Sequence, residues 1–358
     1  MKIKKRIYVC HTFYHVYITY LREFYLPKEQ QGHTTVLLST MSTKFGDLKE
    51  RLDEVGYFEQ VLMYEEKVET EFENLMKYKK DTGNLIKNLW NRILFTKKLG
   101  KEEALFIPVD FREFEEVFIF CDSDPVGYYL NYKKIKYHAL EDGLNCICNY
   151  DTAHFDNRGH FKLKAFMSAI NLIFIQNGYG KYCIDMEVND IDSIKYKCKK
   201  FVELPRKILS DRVTTQEKDI MLRSFVRDYD LLCKKVEEGK DAGNKVLILS
   251  EPLCALDVRK TIFDDIIKMA GSESLIFIKQ HPRDLLDYEE FFPHVILLNR
   301  DFPMEMLNYI PKLHFDKVYS VFTELGALDF VDEKISLGKD FMDKYEDPLI
   351  HRQNEQIY

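Results

Sequence analysis

The sequence predicts an α/β fold built as two units, and three observations carry the prediction. Short β-branched and apolar runs alternate with stretches whose apolar residues recur at helical spacing, the pattern of a parallel sheet covered on both faces by helices. The alternation is interrupted by a polar, glycine-containing stretch, Gly239-Lys240-Asp241-Ala242-Gly243-Asn244, and restarts after it. The length of 358 residues suits roughly two domains of about 150 residues each. The expected division is therefore 1–240 and 241–358, with the smaller unit second.

Along the first unit, Arg6-Ile7-Tyr8-Val9-Cys10 reads as a strand, followed by a helix with Tyr14, Tyr17, Leu21 and Phe24 on one face. Thr34 to Leu38 and Phe58 to Tyr64 read as strands around a helix at Asp47 to Val55. A long charged helical region is expected from about Glu69 to Lys98. Val117-Phe118-Ile119-Phe120-Cys121 is apolar throughout, as in a strand buried on both faces, and Ile135 to Leu140 reads likewise. The stretch 150–210 lacks this regularity and reads as an insertion. Thr214 to Glu238 reads as one helix. The second unit offers strands at Lys245–Ser250, Leu275–Lys279, His294–Leu298 and Lys317–Ser320, with helices at Asp257–Met269, Met304–Tyr309 and Glu324–Phe330. Two such units create a cleft between the carboxyl ends of their sheets, where ligands of these folds bind.

Composition narrows the class. Hydrophobic residues make up 46% and charged residues 31%, the balance of a folded chain rather than a disordered one. The 52 basic and 59 acidic side chains leave a net charge of -7, which argues against a nucleic-acid partner. The basic start is followed by a segment broken at His11, Thr12 and His15, unlike a signal peptide, and no apolar run of membrane-spanning length follows. Eight scattered cysteines read as free thiols, so a cytoplasmic location is expected.

Three short features stand at strand ends. In Leu140-Glu141-Asp142-Gly143 two carboxylates follow a buried strand, and adjacent residues there point apart. One can face the cleft as a general base, and the glycine permits a tight turn. In Lys279-Gln280-His281-Pro282-Arg283 a strand delivers a histidine between two cations, with proline fixing the turn, which suits a phosphate. In Tyr319-Ser320-Val321-Phe322-Thr323-Glu324 a strand passes into a helix start, where hydroxyls and free amides form a phosphate site. Glu305, beside Pro303 in a first helical turn, suits either a ribose or the helix dipole. Each feature alone is also an ordinary turn or cap.

The order of the three features resembles that of the bacterial sialyltransferases of glycosyltransferase family 52, relatives of the bacterial polysialyltransferases. The matching residues are Glu141-Asp142-Gly143, His281-Pro282, and Ser320 with Thr323. The opening Val9-Cys10-His11-Thr12-Phe13-Tyr14-His15-Val16-Tyr17 also looks like that family's first strand and helix. The third motif departs from an adjacent hydroxyl pair, because Val321 and Phe322 intervene. The resemblance implies a GT-B fold, two Rossmann-like domains facing across a central cleft, with nucleotide mainly on the second. It implies an inverting, metal-independent transfer of sialic acid from CMP-sialic acid to a terminal galactoside of lipooligosaccharide or capsule. Asp142 would then be the base and His281 the acid or hydrogen-bond donor to departing CMP. Ser320 and Thr323 would hold the phosphate, and Glu305 would help seat the nucleoside. Glu141, Gly143, Lys279, Pro282 and Arg283 would line the substrate. No cofactor is expected beyond the donor.

Two features stand outside this scheme. His11 and His15 lie at metal-ligand spacing on one helix, yet no third ligand is evident, and His11 is expected to touch the acceptor instead. The basic amphipathic stretch 79–98 carries the chain's one tryptophan. It suits packing on the core or in a homodimer, or peripheral contact with the inner face of the cytoplasmic membrane. Alternatives to sialyl transfer are the same fold with another nucleotide-sugar donor, a sugar-nucleotide epimerase, and a non-catalytic partner in glycan assembly.

Overall fold

The structure, a computed structural model, describes residues 3–120, 122, 125–143, 146–149, 151–227, 229–238, 244–326 and 328–347. The chain divides into two compact units, Met1–Ile220 and Met221–Tyr358. The first opens with β1 (Arg6–Cys10), α1 (Phe13–Tyr25), β2 (Thr34–Ser39), α2 (Leu48–Val55) and β3 (Gln60–Tyr64). It continues through α3 (Glu73–Met76), α4 (Leu85–Glu103), β4 (Glu116–Phe120), α5 (Pro125–Lys133) and β5 (Tyr137–Leu140). Then come α6 (Cys146–Asn149), α7 (Thr152–Asp156), α8 (Phe161–Ala169), β6 (Cys183–Val188), β7 (Phe201–Glu203) and α9 (Arg206–Ser210).

The seven strands lie in the order β3-β2-β1-β4-β5-β6-β7, all parallel. Every residue of β1 is buried, as the apolar run requires of a central strand with both faces covered. The core beneath joins Ile7, Val9, Val117, Ile119, Leu130 and Tyr137. Thr12 caps α1 by accepting the His15 N–H at 3.2 Å, which starts that helix immediately after β1. Strand order reverses between β1 and β4, the switch point where open α/β sheets display their ligands.

The connecting α10 (Thr215–Phe225) and α11 (Tyr229–Glu238) precede β8 (Lys245–Leu249), α12 (Leu256–Ala270) and β9 (Leu275–Lys279). They are followed by α13 (Tyr288–Phe291), β10 (Ile296–Leu298), β11 (Phe315–Ser320), β12 (Val331–Ser336) and α14 (Gly338–Met342). These strands form a second parallel sheet, β10-β9-β8-β11-β12, whose switch point lies between β8 and β11.

Several expectations are corrected. Residues 150–210 are not an insertion: they supply β6 and β7, which extend the first sheet at its edge. The expected helix from Glu69 to Lys98 is broken, with a single 3-10 turn at Glu69–Glu71, short α3, and then α4 starting at an Asn84 cap. The helix expected at Thr214 to Glu238 is two helices. Of residues 324–330 the described ones are not helical, and β12 follows instead. The division falls before Met221 rather than at 240. Within the second unit, Arg227 meets Asp301 at 2.8 Å and Glu237 meets Lys312 at 3.2 Å. The stretch 239–243 that suggested the later boundary lies outside the described residues. Among the described residues no helix is long and apolar enough to cross a membrane, and Cys10, Cys148, Cys183, Cys198, Cys233 and Cys254 are free thiols.

Candidate active site

Buried β5 delivers Glu141 and Asp142 at its carboxyl end, and the two side chains diverge as adjacent residues leaving a strand must. Glu141 turns inward. It is buried, its Oε2 accepts the Asn189 N–H at 2.6 Å, and its own N–H donates to the Glu187 carbonyl at 2.9 Å. It fastens the exit of β5 to that of β6. Asp142 turns outward, its side chain 46% exposed, and its Oδ1 is hydrogen-bonded to His15 Nε2. Gly143 does not take a positive φ, and a Cβ there would meet nothing within 4 Å. Among the described residues nothing therefore requires glycine at this turn.

His15 sets the state of Asp142. Its ring is buried and stacks on Phe120 with centroids 4.0 Å apart and planes 5° from parallel. The backbone N–H of His11 donates to His15 Nδ1 at 3.0 Å. A nitrogen that accepts a hydrogen bond carries no proton, so the neutral ring holds its proton on Nε2 and donates it to Asp142. Burial pushes His15 below its ordinary value against the pull of Asp142. Burial would raise Asp142, but the hydrogen bond from His15 and the neighbouring imidazoles outweigh it and hold the carboxyl below its usual range. The pair at neutral pH is a carboxylate beside a neutral imidazole, the form a general base needs.

His11 is held inside the first unit. It is buried, and its Nε2 lies 2.7 Å from Glu66 Oε2, which also accepts the Ser39 hydroxyl at 2.7 Å. Glu66 Oε1 takes the Val126 N–H at 3.1 Å. His11 thus braces the β1–α1 turn that presents His15. Among the described residues no group of three or more His, Cys, Asp or Glu side chains is placed to hold a metal ion. Sequence reasoning missed Glu66, and it missed Glu187, whose carboxylate joins Arg22 and Arg206. Neither belongs to a motif; both act through contacts distant in sequence.

In the second unit His281 follows β9. The Arg283 N–H donates to its Nδ1 at 3.1 Å, so neutral His281 also carries its proton on Nε2. Burial, reinforced by the charges of Arg283 and Lys279, pushes its pKa down to about 4. At neutral pH His281 is therefore a neutral imidazole with an N–H to offer, as a hydrogen-bond donor. Pro282 and Arg283 are exposed beside it. Lys279 is not: it is buried, its ammonium donates to the carbonyls of Gln280 at 3.0 Å and Asn299 at 2.7 Å, and it lies 4.3 Å from the Phe302 ring. Burial lowers its pKa to about 7. Half-buried Glu305 stands in the first turn of the 3-10 helix Met304–Tyr309, near enough to Lys279 to feel its charge, and burial raises its carboxyl.

The third motif is also altered. Ser320 is buried, and its hydroxyl donates to the Thr323 carbonyl at 2.9 Å. The amides of Val321, Phe322 and Thr323 are not open to a phosphate. All three donate to the carboxylate of Glu251, at 2.9, 3.0 and 3.1 Å. Thr323 itself is half-buried.

A sequence profile described as Glycosyltransferase family 52 matches residues 36–339, most of the chain and both units. The chain belongs to glycosyltransferase family 52. Comparison with curated proteins finds no sequence match. Among solved structures, this family-52 glycosyltransferase is similar to an α/β-galactoside α-2,3-sialyltransferase from Photobacterium phosphoreum. The TM-score is 0.53 at 13% identity, covering 94% of this chain and 91% of that one. It is similar to a sialyltransferase GT-B domain from Photobacterium damselae, with TM-score 0.50, 10% identity, and coverage of 97% and 95%. A 2,6-sialyltransferase from Photobacterium sp. JT-ISH-224, described in complex with CMP and lactose, gives TM-score 0.51 at 9% identity, covering 92% and 71%. At these identities the likeness concerns the fold, and the family-52 enzyme has the GT-B architecture of two parallel-sheet α/β domains.

Proposed function

We propose that this glycosyltransferase moves sialic acid from CMP-sialic acid to a terminal galactoside of a bacterial surface glycan, lipooligosaccharide or capsule. The observation that carries the reading is the half-exposed Asp142 carboxylate, kept ionised by the Nε2 proton of buried His15. In the reaction, Asp142 takes the proton of the acceptor hydroxyl as that oxygen bonds to the anomeric carbon. The bond from the anomeric carbon to the phosphate oxygen breaks, and its electron pair leaves with CMP. Attack opposite the leaving group inverts the configuration. His281 offers its Nε2–H to the departing phosphate as a neutral donor, with exposed Arg283 supplying positive charge. Thr323 contributes its hydroxyl, while buried Ser320 shapes the loop. Such donors suit a monophosphate leaving group without a metal or other cofactor. The choice of CMP and a galactoside is supported by the fold relative described with CMP and lactose.

Thermal-shift titration with CMP, CDP, UDP and GDP, followed by incubation of CMP-sialic acid with lactose, tests this reading. Stabilisation by CMP and formation of sialyllactose are expected. Stabilisation by UDP alone removes sialyl transfer in favour of another nucleotide-sugar donor.

The reading includes peripheral contact with the inner face of the cytoplasmic membrane, where such acceptors are assembled. Ile86 and Trp90 on α4 are 80% and 59% exposed, and Phe166 on α8 is 61% exposed. The two helices are adjacent, since Leu89 and Ile93 pack with Met167 and Ile173. Lys77, Lys79, Lys80, Lys87, Arg92, Lys97 and Lys98 accompany a single acid, Asp81, across 77–98. Local positive charge around exposed apolar groups, in a chain of net charge -7, suits an anionic bilayer. It disfavours a homodimer through this face, because two copies would set like charges together. Trp90 is the only tryptophan and reports directly. Its emission should shift to the blue with vesicles containing phosphatidylglycerol and not with phosphatidylcholine alone. A shift that depends on protein concentration without vesicles indicates self-association instead.

A further inference from the structure

We propose that Ser250 and Glu251, the two residues leaving β8, are a positioning pair that sets the distance between the two donor-phosphate loops. The proposal rests on reading His281 and Thr323 as groups that meet the donor phosphate.

Strand order makes the pair central. β8 lies between β9 and β11, so the loop bearing His281 leaves one flanking strand and the loop bearing Thr323 leaves the other. Ser250 reaches toward β9. Its Oγ accepts the His281 N–H at 3.0 Å and donates to Asp284 Oδ2 at 2.7 Å, while its own N–H donates to the Lys279 carbonyl at 3.0 Å. Asp284 is fully buried and is itself held by Arg259 Nη1 and the Tyr288 hydroxyl, both at 2.7 Å. The His281 backbone is thus anchored to a buried ionic centre through one serine hydroxyl.

Glu251 reaches the other way. Its buried carboxylate gathers the N–H groups of Val321 and Thr323 on Oε1, and Phe322 donates to both oxygens at 3.0 Å. Three consecutive amides converging on one point form a nest that binds an anion, and here the protein supplies that anion itself. Charge-assisted bonds of this kind are stronger than neutral ones. An amide in place of the carboxylate keeps one acceptor oxygen but turns an NH2 group toward an N–H. Glu251 therefore fixes the backbone that presents the Thr323 hydroxyl, just as Ser250 fixes the backbone that presents His281. The donor phosphate is met by side chains on a pre-formed frame, and the loop amides are part of the frame.

Calorimetric titration of the full chain with CMP and with cytidine isolates the phosphate, because the two ligands differ only there. The unaltered enzyme should prefer CMP. Glu251→Gln should lose about tenfold of that preference, the weight of one charge-assisted hydrogen bond, with cytidine affinity unchanged. Ser250→Ala should lose preference in the same direction, and it carries the test if circular dichroism shows that Glu251→Gln fails to fold. A general loss of packing would weaken both ligands alike and would overturn the proposal. So would an unchanged preference in the variants, or tighter CMP binding by Glu251→Gln, which would make Glu251 a competitor of the phosphate. Absence of any CMP preference in the unaltered enzyme overturns the donor-phosphate reading, and the positioning pair with it.

Discussion

The two units solve one problem, holding a reactive group at a strand end, by opposite means. In the first, a side chain is controlled by a side chain: Asp142 remains half-exposed while His15, 127 positions earlier, is buried and oriented to serve it. In the second, backbone is controlled by buried carboxylates: Asp284 secures the His281 loop through Ser250, and Glu251 secures the loop after β11. The first arrangement tunes protonation, and the second tunes position. That difference matches the tasks, since a base must be ionised to work, whereas groups meeting a phosphate need a fixed spacing.

The largest expected effect lies in the first unit. Asp142→Asn should bind CMP normally and lose transfer by about a thousandfold, the middle of the range for a general base. Comparable turnover by the variant would remove Asp142 as the base. His15→Phe should retain the stacking on Phe120 but not the hydrogen bond. Burial then dominates at Asp142 and raises its carboxyl, so the acid limb of the pH profile of kcat/KM should move to higher pH. A loss of rate with an unmoved limb would mean that His15 is merely structural.

How much of this contrast can be read from sequence follows from range. Each reactive residue lies in a short motif at a strand end, because β5, β9 and the second half of β11 carry buried residues up to a recognisable exit. The controlling residues lie in no motif. Glu251 contacts amides 70 to 72 positions away, and Ser250 meets Asp284 across 34. Glu251 also explains a failed prediction. The amides of 321–323 look from sequence like a helix start, but the carboxylate that bonds them holds a turn and not a helix. β6 was hidden for another reason: Cys183–Val188 has only three fully apolar positions on its buried side, interrupted by Asp185 and Glu187. Lys279 was misplaced because alternation fixes which face a residue takes, not whether its ammonium folds back onto nearby carbonyls.

A smaller effect tests the second unit through folding. The pKa of His281 is about 4 in the folded chain against an ordinary value of about 6.5. Between those values the unfolded chain binds more protons, so this group makes stability fall as pH drops from about 6.5 to about 4. His281→Asn removes that proton uptake. Urea midpoints measured at pH 7 and pH 5 should therefore differ less for the variant than for the unaltered chain. An equal difference would show that the imidazole is not held neutral.

The smallest effect is expected at Lys279, where the two units' logic separates most clearly from a reading by charge alone. A lysine beside His281 invites the assignment of a phosphate-binding cation. Its ammonium is instead spent on two backbone carbonyls and the Phe302 ring, and burial has brought its pKa to about 7. Lys279→Met keeps the apolar stem against Phe302 and gives up the two hydrogen bonds, so stability should fall by roughly 1–3 kcal/mol. CMP affinity, measured by calorimetry on folded protein, should change by less than about threefold, because positional control in this unit runs through Ser250 and Glu251. A tenfold loss of CMP affinity with stability unchanged would put Lys279 back among the phosphate ligands and leave position and charge sharing the work.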